Sequence, residues 1–172
     1  MKFILYLLFA SIIYNHTKAQ PAPGSYTKDT ALNKFVGTWI YQSDTDQVII
    51  VLQKQKIYFQ PPLNCYADAL VGWHSYTKNG QNIESSLSHQ NTPYDKYATI
   101  LDYSHSPNPE SLNLSFDDIS KNKGGRLTIT RLSGNKLQWS LHEREIMLSL
   151  PGKPFVTGFT LPQNMILKKI TK

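Results

Sequence analysis

The chain has 172 residues, a formal net charge of +6, 40% hydrophobic residues and one cysteine. A single domain of this length buries ~70% of the surface that its unfolded form exposes. One cysteine excludes an intramolecular disulfide, so packing must hold the fold, and the basic residues are too scattered to form a nucleic-acid surface.

In chain order, the first segment reads MKFILYLLFASIIYNHTKAQ. Lys2 leads an apolar run from Phe3 to Tyr14, and Thr17-Lys18-Ala19 puts small residues at both positions that define a cleavage site. This pattern predicts a secretory signal peptide over 1–19. The run falls short of the ~20 residues that a bilayer requires, so no membrane span is expected once it is removed. Residues 20–28, opening QPAPGSY, read as a flexible leader. Residues 29–172 form the expected domain, starting with one short helical turn between Asp29 and Lys34.

Beyond that turn no segment sustains a helical period, and short β-favouring runs alternate with turn residues. Strands are predicted to begin near Val36, Val48, Ala69, Gln81, Tyr97, Leu112, Arg126, Lys136 and Val156. The cuts are SDTD at 43–46, QPPLN at 60–64, NTPYD at 91–95, SHSPNPE at 104–110, DDISKNKGG at 117–125, SGN at 133–135 and LPGKP at 150–154. Asn79-Gly80 is the strongest hairpin signal, and Asn122 to Gly125 and Gly134-Asn135 offer the positive backbone angles that tight reversals need.

Alternation assigns the faces. Leu112, Leu114 and Phe116, then Leu127 and Ile129, then Leu137, Trp139 and Leu141 each form an inward row with polar neighbours outward. Val48 to Leu52 is continuously apolar, which predicts a strand covered on both faces. The whole pattern predicts an all-β, antiparallel up-and-down barrel of about eight to nine strands, because closure removes the edges that a long meander would leave exposed.

Gly37-Thr38-Trp39, following DTALNKFV, resembles the Gly-x-Trp that opens lipocalin-like barrels after a short 3₁₀ turn. The resemblance implies that Gly37 admits a close neighbour and that Trp39 plugs the narrow end. Trp39 as ordinary core is the plainer reading. Lipocalins stack an arginine from the last strand on this tryptophan. Here FTLPQNMILKKI offers only Lys168 and Lys169, leaving Arg126, Arg131 or Arg144 as substitutes from other strands. Over nearly the whole chain the segments FVGTW, ALVGWHSYTKNGQNIESS, LTITRLSGNKLQWSLHERE and GFTLPQNMILKK resemble an uncharacterised family of small exported bacterial proteins, a domain of unknown function. That resemblance implies export and a β-barrel, and it carries no activity.

Little in the sequence points to chemistry. His74, His89, His105 and His142 are too far apart to form a local metal pair. Asp44 and Asp46 lack the glycine and distal glutamate of a calcium loop. His142 and Arg144 share an outward strand face, no catalytic motif is present, and Asp117-Asp118 reads as strand termination. Cys65 reads as a buried small hydrophobe, with an intermolecular disulfide or a nucleophile as the sharper alternatives. Ten tyrosines and three tryptophans are the one compositional excess. Rings lining a barrel can hold an apolar ligand while their polar tips orient it. The expected function is therefore a periplasmic or extracellular, monomeric, non-enzymatic module. It would take a small hydrophobic or amphipathic ligand into the barrel without a metal or cofactor, and Trp73, Tyr103 and Trp139 are the candidate lining residues. The alternative is a filled barrel that acts through its surface on an envelope protein or a glycan.

Overall fold

The structure, a computed structural model, describes residues 21–102, 108–143 and 156–170. The predicted signal peptide, Tyr103, His105, Arg144 and the LPGKP cut lie outside them. Ten strands are described: β1 (Tyr26–Thr27), β2 (Gly37–Gln42), β3 (Asp46–Phe59), β4 (Cys65–Lys78), β5 (Gln81–Ser85), β6 (Ile100–Leu101), β7 (Ser111–Asp118), β8 (Lys123–Leu132), β9 (Lys136–His142) and β10 (Asn164–Lys169). A 3₁₀ turn at Ala31–Lys34 precedes β2, where the sequence placed it, and a second spans Leu87–His89.

The strands run in the order β4-β3-β2-β10-β9-β8-β7-β6, and β6 returns to β4. This is a closed, eight-strand, antiparallel up-and-down barrel, consistent with the lipocalin-like pattern. β5 and β1 lie off the ring, each on an edge of β4. The turn chemistry matches expectation. Asn79 and Gly80 carry φ of 49° and 77°, and Asn122, Gly134 and Asn135 are also left-handed, whereas Gly124 and Gly125 lie within β8.

Alternation holds where it was read. Leu112, Leu114, Phe116, Leu127, Ile129, Leu137, Trp139 and Leu141 are all buried in one continuous cluster with Phe35, Trp39 and Ile50. Phe116 and Trp139 meet edge to face at 5.6 Å, a geometry worth ~0.5–1.5 kcal/mol beyond burial. The run Val48–Leu52 departs from expectation. Val48, Ile50 and Leu52 are buried, but Ile49 and Val51 are half-buried, because only the barrel side of β3 is fully covered.

Several boundaries move, and β8 starts at Lys123 rather than Arg126. β4 starts at Cys65 rather than Ala69, because Cys65 to Asp68 pair with Lys56 to Phe59 in a two-stranded arm beyond the end of β2. Tyr97 has φ 59° and sits in a loop, and β6 begins at Ile100. The last strand begins at Asn164 rather than Val156, because the Val156 and Gly158 carbonyls accept from Lys123 Nζ, and Thr157's from Lys121 Nζ, instead of joining a ladder. The leader also has a defined place. Gly24 N–H donates to the Asn64 carbonyl, Tyr66 N–H donates to the Ser25 carbonyl, and Tyr26–Thr27 pair in parallel with Tyr66–Ala67.

The Gly-x-Trp motif closes one end. Gly37 has φ 138°, and a Cβ there would lie 2.6 Å from Lys169 Cε. The stem of Lys169 occupies that space and sets its ammonium 5.2 Å from the centre of the Trp39 ring. Trp39 is 1% exposed, and its Nε1–H donates to the Phe35 carbonyl at 2.8 Å. The cation over the tryptophan is thus a last-strand lysine, directly opposite Trp39 in the β2–β10 ladder, and neither Arg126 nor Arg131 takes that place. Gly37→Ala is expected to cost on the order of 1–3 kcal/mol through backbone strain and displacement of Lys169, read as a lower urea midpoint. Pairing it with Lys169→Ala should relieve the contact but not the strain, so full recovery in the double variant would contradict this account.

Candidate functional site

The barrel interior is occupied by its own side chains. Trp39, Phe35, Phe116 and Trp139 are at most 1% exposed and belong to one cluster. Of the candidate lining residues, Trp139 and Trp73 lie in different clusters, and Tyr103 lies outside the described residues. Trp139 stands in the interior. Trp73 points out of the other face of β4 into a second cluster with Ile57, Ala69, Val71 and Leu101, covered by Leu87, Tyr94 and Ala98. Parity is the reason: Gly72 and His74 face inward, and their neighbour Trp73 must face outward. Both indole Nε1–H groups are buried, with no hydrogen-bond partner among the described residues.

A cavity of about 310 Å³ lies elsewhere, between the leader and the β3–β4 arm. β3 and β4 each run 14 residues, but β2 pairs only with Gln47 to Leu52. The remaining half of the hairpin projects from the barrel. Phe59, Cys65 and Ala67 share one face of it, and Thr27 of β1 joins that face by register with Ala67. Leu63 at the tip and Leu32 of the first 3₁₀ turn complete the apolar wall. Cys65 is a buried free thiol on that wall. Asp68 marks the polar side of the cavity. It accepts from Asp29 N–H at 3.0 Å and from the Tyr26 hydroxyl, and it pairs with Lys54 at 2.8 Å. Burial pushes the Asp68 carboxyl up, but the bonds from Lys54, Tyr26 and Asp29 outweigh it and hold the group below its ordinary value. The same bond to Asp68 holds the Tyr26 hydroxyl above its own.

A second polar cluster is closed to solvent. His74 Nε2 lies 2.9 Å from Glu84 Oε1, and His74 Nδ1 lies 2.7 Å from Thr99 Oγ1. Ser86 Oγ accepts from His74 N–H at 3.0 Å, and Glu84 Oε2 accepts from Ser120 N–H at 2.8 Å. Hydroxyl, imidazole and carboxylate stand in the order used for nucleophile activation. Yet His74 is 0% exposed, Glu84 5% and Thr99 6%, and Phe116 packs 5.1 Å from the imidazole. The cluster fills the gap where β4 exchanges β6 for β5 as its partner, which is a structural task. Burial pushes the Glu84 carboxyl up, and the bonds from His74 and Ser120 more than offset this, holding it below its ordinary value.

Asp46 and Asp118 also serve the frame. Asp46 accepts from the Tyr76 and Thr45 hydroxyls, and these bonds, Tyr76's foremost, hold it below its ordinary value. Burial and the Asp46 carboxylate push Tyr76 up to about 12. Asp118, 1% exposed, accepts from Lys121 N–H, Thr160 N–H and the Thr160 hydroxyl, clasping the segment that seats Phe159 against Phe116. His142 is exposed and bonded to Ser140. Among the described residues, no group of three or more His, Cys, Asp or Glu is arranged to hold a metal ion. Sequence reasoning missed Asp68, Glu84 and Asp118 because their partners, apart from Lys121 N–H beside Asp118, lie 10 to 42 positions away.

The two limbs of the pH–stability profile should separate these groups. The Glu84 folded value is depressed, so its contribution is present above pH 4.5 and is lost as pH falls through the folded value. Glu84→Gln should lower the neutral-pH stability by about 1–3 kcal/mol and flatten the acid limb. Tyr76 is raised, so its contribution is present below pH 10 and is lost as pH rises towards about 12. Tyr76→Phe should flatten the alkaline limb and, because Asp46 loses its foremost bond, soften the acid limb as well. Urea midpoints between pH 3 and pH 12 check both signs, and a parallel shift of both limbs by either variant would contradict the assignment.

No curated protein and no solved structure matches the chain. A family model does, over residues 1–170. By that match across nearly the whole chain, the protein belongs to DUF6705, a family of unknown function.

Proposed function

We propose that the protein is an exported, non-enzymatic binding module that takes a small hydrophobic or amphipathic molecule into the cavity between the leader and the β3–β4 arm. The observation that carries the reading is the cavity itself, about 310 Å³, at the small end of the range for ligand sites. Its walls are Leu32, Phe59, Leu63, Cys65 and Ala67, and polar groups gather on one side around Asp68. Apolar walls supply affinity in rough proportion to the area they remove from water, and a few polar groups orient the guest. The described rings of the barrel interior pack against one another, which supports placing the ligand at the arm rather than inside the barrel. A leader that follows a cleaved signal peptide would then form one wall of the site in the mature protein.

Native mass spectrometry of the protein purified from its own host tests the reading. The expected spectrum shows a discrete extra mass that is lost on denaturation and a polypeptide mass that begins at Gln20. Ala67→Phe projects a ring into the cavity from a strand position and should remove the extra mass while keeping the thermal midpoint within a few degrees. A bare wild-type mass, or an adduct that Ala67→Phe retains, overturns the proposal.

A further inference from the structure

The face of the arm opposite the cavity carries a row of three tyrosines. Register places Tyr58 of β3 opposite Tyr66 of β4, and Tyr66 opposite Tyr26 of β1. Three neighbouring strands therefore present three rings side by side on one face, at the spacing of adjacent strands. Tyr58 and Tyr66 have ring centres 5.1 Å apart. Tyr26 is 46% exposed and Tyr58 39%. Their hydroxyls are already engaged, Tyr26 donating to Asp68 and Tyr58 to Asn64. Those bonds fix the ring orientations before any partner arrives, and they leave the ring surfaces as the accessible part.

One cation sits on this row. Lys56 Nζ lies 4.7 Å from the centre of the Tyr26 ring and 4.4 Å from that of Tyr66. Its cross-strand neighbour Asp68 is taken by Lys54 at 2.8 Å, so Lys54 and Asp68 cancel. Among the described residues the Lys56 charge rests on the two rings alone, and no carboxylate compensates it. Asn64 and the exposed Gln60 add hydrogen-bonding groups at the end of the row.

We infer that this face binds an acidic glycan. A sugar ring presents a flat patch of C–H bonds that fits the electron-rich face of a tyrosine, and its hydroxyls suit amide side chains. A uronic-acid carboxylate would supply the counter-charge that Lys56 lacks. The surface is aromatic rather than an aliphatic groove, which disfavours an apolar peptide helix. Its single uncompensated cation disfavours a nucleic acid, which needs a positive track along the phosphates. The inference does not depend on the cavity, whose apolar wall of Phe59, Cys65 and Ala67 is the opposite face of the same strands, although Asp68 borders both. Both use β1, through Tyr26 on one side and Thr27 on the other.

Affinity electrophoresis of the purified protein tests it, with gels containing polygalacturonate, dextran or nothing, and a parallel gel shift with single-stranded oligothymidylate. Polygalacturonate should retard the wild type more than dextran does. Tyr58→Ala should weaken that retardation roughly five-fold or more, Tyr58→Phe should keep it, and Lys56→Met should remove the preference for the acidic polymer. Lys28→Met, another exposed lysine, is the control and should change nothing. Thermal midpoints of the variants exclude unfolding as the cause, and Tyr58→Phe against Tyr58→Ala separates the ring from the fold. The inference is overturned if polygalacturonate does not retard the wild type, if it retards Tyr58→Ala and Lys56→Met equally well, or if only the oligonucleotide binds.

Discussion

The barrel closes on a seam only two residue pairs long, Val71 with Leu101 and Gly72 with Ile100. Everything else in the ring depends on this contact, because an unclosed meander would expose the edges of β4 and β6 to other chains. Gly72 makes the seam close-fitting. A Cβ there would lie 2.7 Å from Leu52 and 3.1 Å from both Ile100 and the Val51 carbonyl. Two backbone bonds extend the seam, from Thr99 N–H to the Gly72 carbonyl and from Asp102 N–H to the Leu70 carbonyl, each 2.9 Å. Above it, β4 turns to β5, and the opening between β5 and β7 is filled by His74, Glu84, Ser86 and Thr99. A buried polar group left without its partner costs about 1–3 kcal/mol. Here each member has its partner, so the polar cluster pins the register of the weakest joint.

The ends of the barrel use charge on aromatic faces. At one end Lys169 lies over Trp39, and at the other Lys123 lies 4.6 Å from the Phe159 ring while binding Glu143 and two carbonyls. Cation–π contacts contribute ~0.5–2 kcal/mol according to their burial. In both places the lysine stem covers apolar surface and the head stays polar. A lysine therefore serves where the lipocalin comparison suggested an arginine.

With closure handled by the seam and the ends, the outer halves of β3 and β4 carry no barrel load. They pair with each other and with the leader, and each face of this ribbon meets a different environment. One face borders the cavity, and the other carries the tyrosine row. A packed scaffold with its proposed recognition surfaces on a projecting hairpin fits the rule that rigid elements hold sites more accurately than free loops.

Much of this was legible from order and alternation. Period-two rows identified the interior of β7, β8 and β9, Asn79-Gly80 announced its hairpin, and Gly37-Thr38-Trp39 marked the first barrel strand. Each of these is local, because a strand's parity and a turn's φ are set by a few neighbouring residues. The extent of the arm, the parity of Trp73, the lysine over Trp39, the His74 cluster and the seating of the leader on β4 were not legible, because each joins residues distant in sequence. The symmetry of Tyr58 and Tyr66 about the QPPLN turn was visible in principle, but Tyr26 was not. By itself the sequence determined an all-β chain with a known set of inward residues, since burying alternate apolar rows leaves few other solutions. Only the tertiary structure decided where space remained after those residues packed, because a cavity or an exposed face is the remainder of all long-range contacts and belongs to no single segment.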